Sequence, residues 1–165
     1  MNLNIKIFLL CPIPDDQKPI NEYINLKEND FSNLIFLTRK EYFKKICINF
    51  MSYFFFVTPV TYLFKLENEL ILFNSFFSIS TLILIFLINF SRWFQIWKRF
   101  QSSRLFYEEG SWYDGQFWEK PIELIKNDRL INSQKITPIL KRIIKTLFCL
   151  VSLNIYIYVM YILSF

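Results

Sequence analysis

The side chains best suited to chemistry are six carboxylates gathered in one stretch: Glu108, Glu109, Asp114, Glu119, Glu123 and Asp128. Carboxylate oxygens are ligands for hard cations. Their spacing matches no calcium loop, however, and the simpler reading is that they pair with neighbouring Lys and Arg or face solvent. The chain has no histidine. That excludes Ser-His-Asp and Cys-His catalysis, histidine-ligated haem and the usual Glu-x-x-His di-iron bundle. Cys11, Cys47 and Cys149 share no close spacing, and an odd number cannot form a complete disulfide framework. Cys47 and Cys149 lie in apolar runs, where they are expected to be small buried hydrophobes. No catalytic residue and no metal-ligand set is assigned, and the sequence identifies no cofactor.

Most of those acids belong to Tyr107–Pro121, YEEGSWYDGQFWEKP, which also holds both glycines of the chain, Gly110 and Gly115. Asp114-Gly115 is a turn dipeptide, since Asp tolerates left-handed backbone and Gly adopts it freely. Trp112, Tyr113, Phe117 and Trp118 supply large rigid surfaces. The stretch is expected to form a compact aromatic recognition loop beside a membrane.

The membrane follows from composition. Hydrophobic residues make up 53% of the chain and aromatics 20%, concentrated in runs. An AT-rich coding bias also favours Phe, Ile, Asn and Lys, so aromatic enrichment alone decides nothing. The net charge of +5 crowds the ends of the apolar runs. There is no zinc spacing, glycine-rich RNA-binding signature or isolated basic helix, so nucleic acid is not an expected partner.

Residues 1–31 form a proline-containing arm with no cleavable signal. Pro12, Pro14 and Pro19 favour extended geometry, and proline alone does not separate an ordered arm from a linker. Residues 32–64 read as a basic amphipathic lead-in capped by Ser32, then an uncharged first span from Ile46 to Phe64. At 1.5 Å per residue that run covers about 28 Å, nearly a bilayer core. Pro59 is expected to kink it, with Thr58 and Thr61 helping to satisfy the freed backbone. A short connection at 65–69 returns the chain into a second span, 70–90. Residues 91–146 are expected to hold an interfacial helix, Arg92–Phe106, with Trp93, Ile96, Trp97 and Phe100 on its membrane-facing side. The aromatic loop and a short helix opened by Pro121 follow. The third span is 147–165, its helix starting at a Thr137 cap with Pro138 in the first position. Arg39, Lys40, Lys44 and Lys45, then Arg92, Lys98, Arg99 and Arg104, then Lys135, Lys141, Arg142 and Lys145 all fall on one side. The positive-inside rule makes that side cytoplasm or stroma, with the C-terminus across the membrane.

Asn74, Ser78 and Thr81 share a helical face in the second span. Such residues more often make helix–helix contacts than a conduction path, and coupled transport usually keeps an ionisable group in the span. Asn154, Tyr156 and Tyr158 read as packing or interface residues.

Two motifs carry a resemblance. In CPIPDDQKPINEY, Cys11, Pro12, Pro14, Gln17, Pro19, Asn21, Glu22 and Tyr23 match the hypothetical chloroplast reading frame thirty-six family. Tyr107, Glu108, Glu109, Trp112, Tyr113, Asp114, Gly115, Gln116, Trp118, Lys120 and Pro121 match its second motif, and Asp128, Arg129 and Leu130 its third. Gly110-Ser111 reverses the family's Ser-Gly order. The resemblance implies a chloroplast membrane protein, in thylakoid or inner envelope, and carries no activity with it.

These readings together give an all-α membrane protein: three transmembrane helices, an interfacial helix and an aromatic loop on the stromal side. The expected role is a non-enzymatic factor for assembly or maintenance of a photosynthetic complex, partnered by the bilayer and a membrane protein. The competing class is a transport or metal-handling component. Cys11, Pro12, Pro14, Gln17, Asn21, Glu22, Tyr23, Asp128 and Arg129 join the aromatic loop as partner-binding candidates. Arm and loop are expected to form one cap, with Asn21, Glu22 or Tyr23 on the Trp112–Gln116 turn. Arg129 is expected to pair with Glu108, Glu109 or Asp114.

Overall fold

Proline and short polar side chains decide where the helices start. The computed structural model describes residues 11–29, 34–63, 70–108 and 115–163. The Ser32 cap, the 65–69 connection and the Trp112–Asp114 tip lie outside them. The arm is helical where extended backbone was expected. A 3-10 turn, Asp15–Gln17, leads into α1, Pro19–Glu28, with Pro19 in the first turn, where a missing N–H costs nothing.

A second 3-10 turn, Leu34–Phe36, precedes α2, Arg39–Leu63. This helix is capped by Thr38, whose Oγ1 lies 2.9 Å from Glu41 Oε2 while the Thr38 N–H donates to the same oxygen at 3.3 Å. That is a capping box, absent from the sequence reading. Pro59 sits inside α2, and its missing N–H would orphan the Phe55 carbonyl. Thr58 Oγ1 donates to that carbonyl at 2.9 Å, as anticipated, whereas Thr61 Oγ1 donates to Thr58 O at 2.8 Å, which Pro59 does not free.

The second span and the expected interfacial helix are one element, α3, Leu70–Gln101, 32 residues without a break. At 1.5 Å per residue it is about 48 Å long, so its last turns stand clear of a 30 Å hydrocarbon core. The apolar side of those turns faces protein, not lipid. Trp93, Ile96 and Phe100 are buried in the main core with Ile35, Tyr42, Phe86, Ile136, Ile139, Leu140 and Ile143. Tyr23 and Phe36 meet the Trp93 ring edge-on at 5.9 and 5.5 Å.

The fold is all-α with three spans as expected, and its aromatic loop is shaped as a small β-hairpin. Its strands β1, Arg104–Glu108, and β2, Gly115–Glu119, pair antiparallel with Phe106 opposite Phe117 and Leu105 opposite Trp118. The chain then enters α4, Ile122–Ile131, after Pro121 as expected. The third span does not start afresh at Thr137. A π turn, Asn132–Ile136, joins α4 to α5, Thr137–Leu163. Pro138 cannot supply an N–H to the preceding turn, and the wide π turn lets the helix continue past it. Asn132 O accepts both the Thr137 N–H and, at 2.9 Å, the Thr137 hydroxyl.

Three helical stretches are long and apolar enough to cross a membrane: α2, α3 and the α4–α5 run. Inside the spans, Asn74 and Ser78 are fully buried; Ser78 and Thr81 bond to their own helix, and the Asn74 amide has no partner among the described residues. Asn154 Nδ2 crosses from α5 to donate to Phe76 O at 3.2 Å and Ser80 Oγ at 3.1 Å, a packing role. Cys47 and Cys149 are exposed on the outer surfaces of their helices, correcting the expected burial.

Candidate functional site: a cap on the basic end of the bundle

The hairpin has two unlike faces because its side chains alternate. Inward, Leu105 and Tyr107 are buried with Ile13, and Cys11 and Trp118 pack against them. The Tyr107 hydroxyl donates to Gln116 Oε1 at 2.9 Å. Outward, Phe106 and Phe117 form an edge-on pair at 5.3 Å and remain 47% and 72% exposed. Arg104 and Glu119, opposite each other in the register, bridge at 2.8 Å on that side. Gly115 leaves room for the Phe106 ring in this arrangement. A Cβ there would lie 2.3 Å from Phe106 Cζ, so the ring covers the glycine across the strands.

Among the described residues arm and hairpin meet through Cys11 and Ile13; the expected contact of Asn21, Glu22 or Tyr23 with the Trp112–Gln116 turn involves its tip, Trp112–Asp114, which lies outside the described residues. Asn21 Nδ2 turns back to Asp15 O at 2.8 Å. Glu22 pairs with Arg99 near the end of α3, and Arg99 Nη2 also donates to Gln17 O at 2.9 Å. Burial raises the Glu22 carboxyl above its usual range, with the Arg99 charge opposing. Burial also raises the Tyr23 phenol.

A helix ending at Gln101 leaves its last carbonyls without intrahelical donors. Ser102 supplies two locally, its N–H to Lys98 O at 3.0 Å and its Oγ to Arg99 O at 3.0 Å, and side chains from farther along the chain reinforce this end of the helix. Lys120 Nζ donates to Arg99 O at 2.9 Å and to Asp128 Oδ2 at 2.6 Å, with its side chain 2% exposed. Asn132 Nδ2, placed by the π turn, reaches Trp97 O at 3.2 Å and Gln101 Oε1 at 3.3 Å. The Lys120 N–H closes onto Ser103 O at 2.9 Å. On the other side, Arg142 Nη1 donates to Ile35 O at 2.7 Å and Leu37 O at 2.8 Å, its guanidinium 4.1 Å from the centre of the Tyr42 ring.

The candidates thus divide. Cys11, Gln17, Glu22, Tyr23, Tyr107, Gln116, Trp118 and Asp128 build the cap. Pro12 is exposed and Pro14 half-buried beside it. Arg129 is exposed and makes no ion pair among the described side chains, which do not include those of Glu108, Glu109 and Asp114. Trp112 and Tyr113 also lie outside the described residues. The sequence reading gave no cap role to Ile13, Arg99, Lys120, Asn132 or Arg142. Lys120 had a signal, because it stands in the second motif directly before a proline; Asn132 had none. Among the described residues, no three His, Cys, Asp or Glu side chains gather as a metal site.

Residues 11–149 match the CGLD27-like family, described as "Conserved in the green lineage and diatoms 27". The chain belongs to this family. It is 40% identical over 144 residues to the "uncharacterized protein ycf36" of Porphyra purpurea, covering 85% of this chain and 87% of that one. The ycf36 protein of Pyropia yezoensis is 37% identical over 141 residues. The chloroplastic protein "conserved in the green lineage and diatoms 27" of Arabidopsis thaliana is 34% identical over 140 residues, which is 82% of this chain and 43% of that protein. No solved structure matches the chain. The family match opens at Cys11, the first described residue of the cap, and runs through α2, α3 and the first turns of α5.

Proposed function

We propose that this is a multi-pass chloroplast membrane protein, of thylakoid or inner envelope, that acts without catalysis in assembly or maintenance of a photosynthetic complex. Chloroplast placement is supported by the family and by the chloroplastic relative. The observation that carries the docking role is the outward face of the hairpin. Phe106 and Phe117 stand exposed there, on strands whose inner side chains are fixed by Ile13, Cys11 and the capped end of α3. Rigid aromatic anchors flanked by charge suit a protein interface. The basic residues at this end of the bundle support a stromal cap and a C-terminus across the membrane.

Affinity purification of tagged protein from thylakoid and envelope fractions, analysed for partners and metals together, tests the role. The expected result is a stable large complex that Phe106→Ser/Phe117→Ser loses by about tenfold or more, equivalent to about 1.4 kcal/mol. Stoichiometric bound metal without a protein partner would instead support the metal-handling alternative. Protease added from the stromal side should cut within 91–146 and spare 65–69.

A further inference from the structure

Behind the docking face, the arm, the hairpin and α4 enclose a cavity of about 260 Å³. Ile13, Leu105, Trp118 and Leu124 give it apolar walls, while Lys120 and Asp128 stand in the same lining. An ammonium carries three hydrogens. Lys120 directs two of them to Arg99 O and Asp128 Oδ2, and the third has no acceptor among the described residues. With the side chain 2% exposed, bulk water does not reach it freely. A buried donor without an acceptor is costly, so this position favours an oxygen brought in from outside.

We propose that the cavity binds a small neutral lipid-like molecule, an apolar body bearing one hydroxyl or carbonyl oxygen that accepts the third Lys120 hydrogen. Charge selects the neutral head. Asp128 already balances Lys120 at 2.6 Å, and Asp15 holds the other lining ammonium, Lys18, at 2.5 Å. An anionic head would enter beside the Asp128 carboxylate with no unbalanced cation to meet it. Size sets the body. Drug-sized ligands occupy pockets of about 300–1,000 Å³, so this one takes a single ring or a short chain end. The inference is independent of the docking role, which rests on the opposite face of the hairpin.

Cys11 lines the cavity and is partly accessible, which provides the readout. The full chain carrying Cys47→Ser and Cys149→Ser is placed in lipid nanodiscs, and alkylation of Cys11 by N-ethylmaleimide is timed. The probes are 1-octanol, 2-octanone, octane and octanoate at equal membrane concentrations. Octanol and octanone should protect Cys11 at concentrations about tenfold lower than octane, the effect expected of one hydrogen bond to a charged group. Octanoate should protect no better than octane. Leu124→Phe, which fills the cavity and leaves the Lys120–Asp128 pair in place, should abolish protection by every probe and so tests the site in a folded cap. Equal protection by octane and octanol, no protection by any probe, or protection that survives Leu124→Phe overturns the proposal.

Discussion

The two halves of α3 are both rich in apolar residues, the first without charge and the second carrying Arg92, Lys98 and Arg99, and they are held in different ways. In Leu70–Phe90 most polar side chains bond to their own helix, Ser75 to Leu72 O, Ser80 to Phe76 O, Thr81 to Ser78 O and Asn89 to Ile85 O, while the buried Asn74 amide has no partner among the described residues. Only Asn154 is described as bonding to this half from another helix. In Arg92–Gln101 the bonds come from far along the chain, from Glu22, Lys120 and Asn132. The packing does not divide in this way within α3, since Ile79, Leu82 and Phe86 are as buried in the first half as Trp93, Ile96 and Phe100 are in the second; the contrast lies between this cap end and the outer surfaces of the spans. The most apolar windows of α2, α3 and α4–α5 bury 6%, 28% and 0% of their residues, so those spans mainly face their surroundings. Trp93, Ile96 and Phe100 are at most 6% exposed. A bilayer satisfies apolar surface without requiring helices to touch, whereas in water the same side chains must be covered by protein. The cap is where this fold specifies itself.

Lys120→Met should test that difference most severely. It removes the donor to the end of α3 and leaves Asp128 without its cation, a loss of about 3–5 kcal/mol for a buried pair broken from one side. Amide exchange should rise through the arm, hairpin and α4 together while the spans stay protected. Uniform loss across the spans would erase the proposed distinction between the halves.

Arg99→Gln should have a narrower effect. It frees Glu22 and the Gln17 carbonyl, costing about 1.5–3 kcal/mol for charge-assisted hydrogen bonds. Limited proteolysis should then cut α1 while β1 and β2 remain paired. Gly115→Ala comes next, at about 1–3 kcal/mol, because its Cβ displaces the Phe106 ring. It should alter the outer face and partner recovery without releasing the arm. In the membrane half, Asn154→Leu should cost only about 0.6 kcal/mol, the mean for hydrogen bonds between spans. A thermal shift as large as that of Arg99→Gln would show that the spans specify the fold as strongly as the cap.

The smallest expected effect is a pH dependence. Burial raises the folded carboxyl of Glu22 above its ordinary value of 4.5 despite Arg99. The folded state therefore binds the proton more tightly, and this group's contribution to stability falls as pH rises from 4.5 through the raised value. Exchange protection of α1, compared between the parent chain and Glu22→Gln, should favour the parent more at the acid end of that range. The opposite slope would mean that the ion pair outweighs desolvation.

The apolar runs and flanking charges determined three spans and their common basic side, because bilayer thickness and the positive-inside bias act on local sequence. Pro59 with Thr58 was legible for the same reason: a missing N–H and its replacement donor lie within one turn. The meeting of arm and aromatic motif was also legible, since charge put both on one side. What joins them was decided only by tertiary structure. Nothing local tells Lys120 that its acceptor is the carbonyl of Arg99, or tells Asn132 that a π turn will carry it to Trp97. The amphipathic stretch after Phe90 reads alike whether its apolar face meets lipid headgroups or the buried side of α5. Periodicity records that a face must be covered, and only the folded chain supplies the cover.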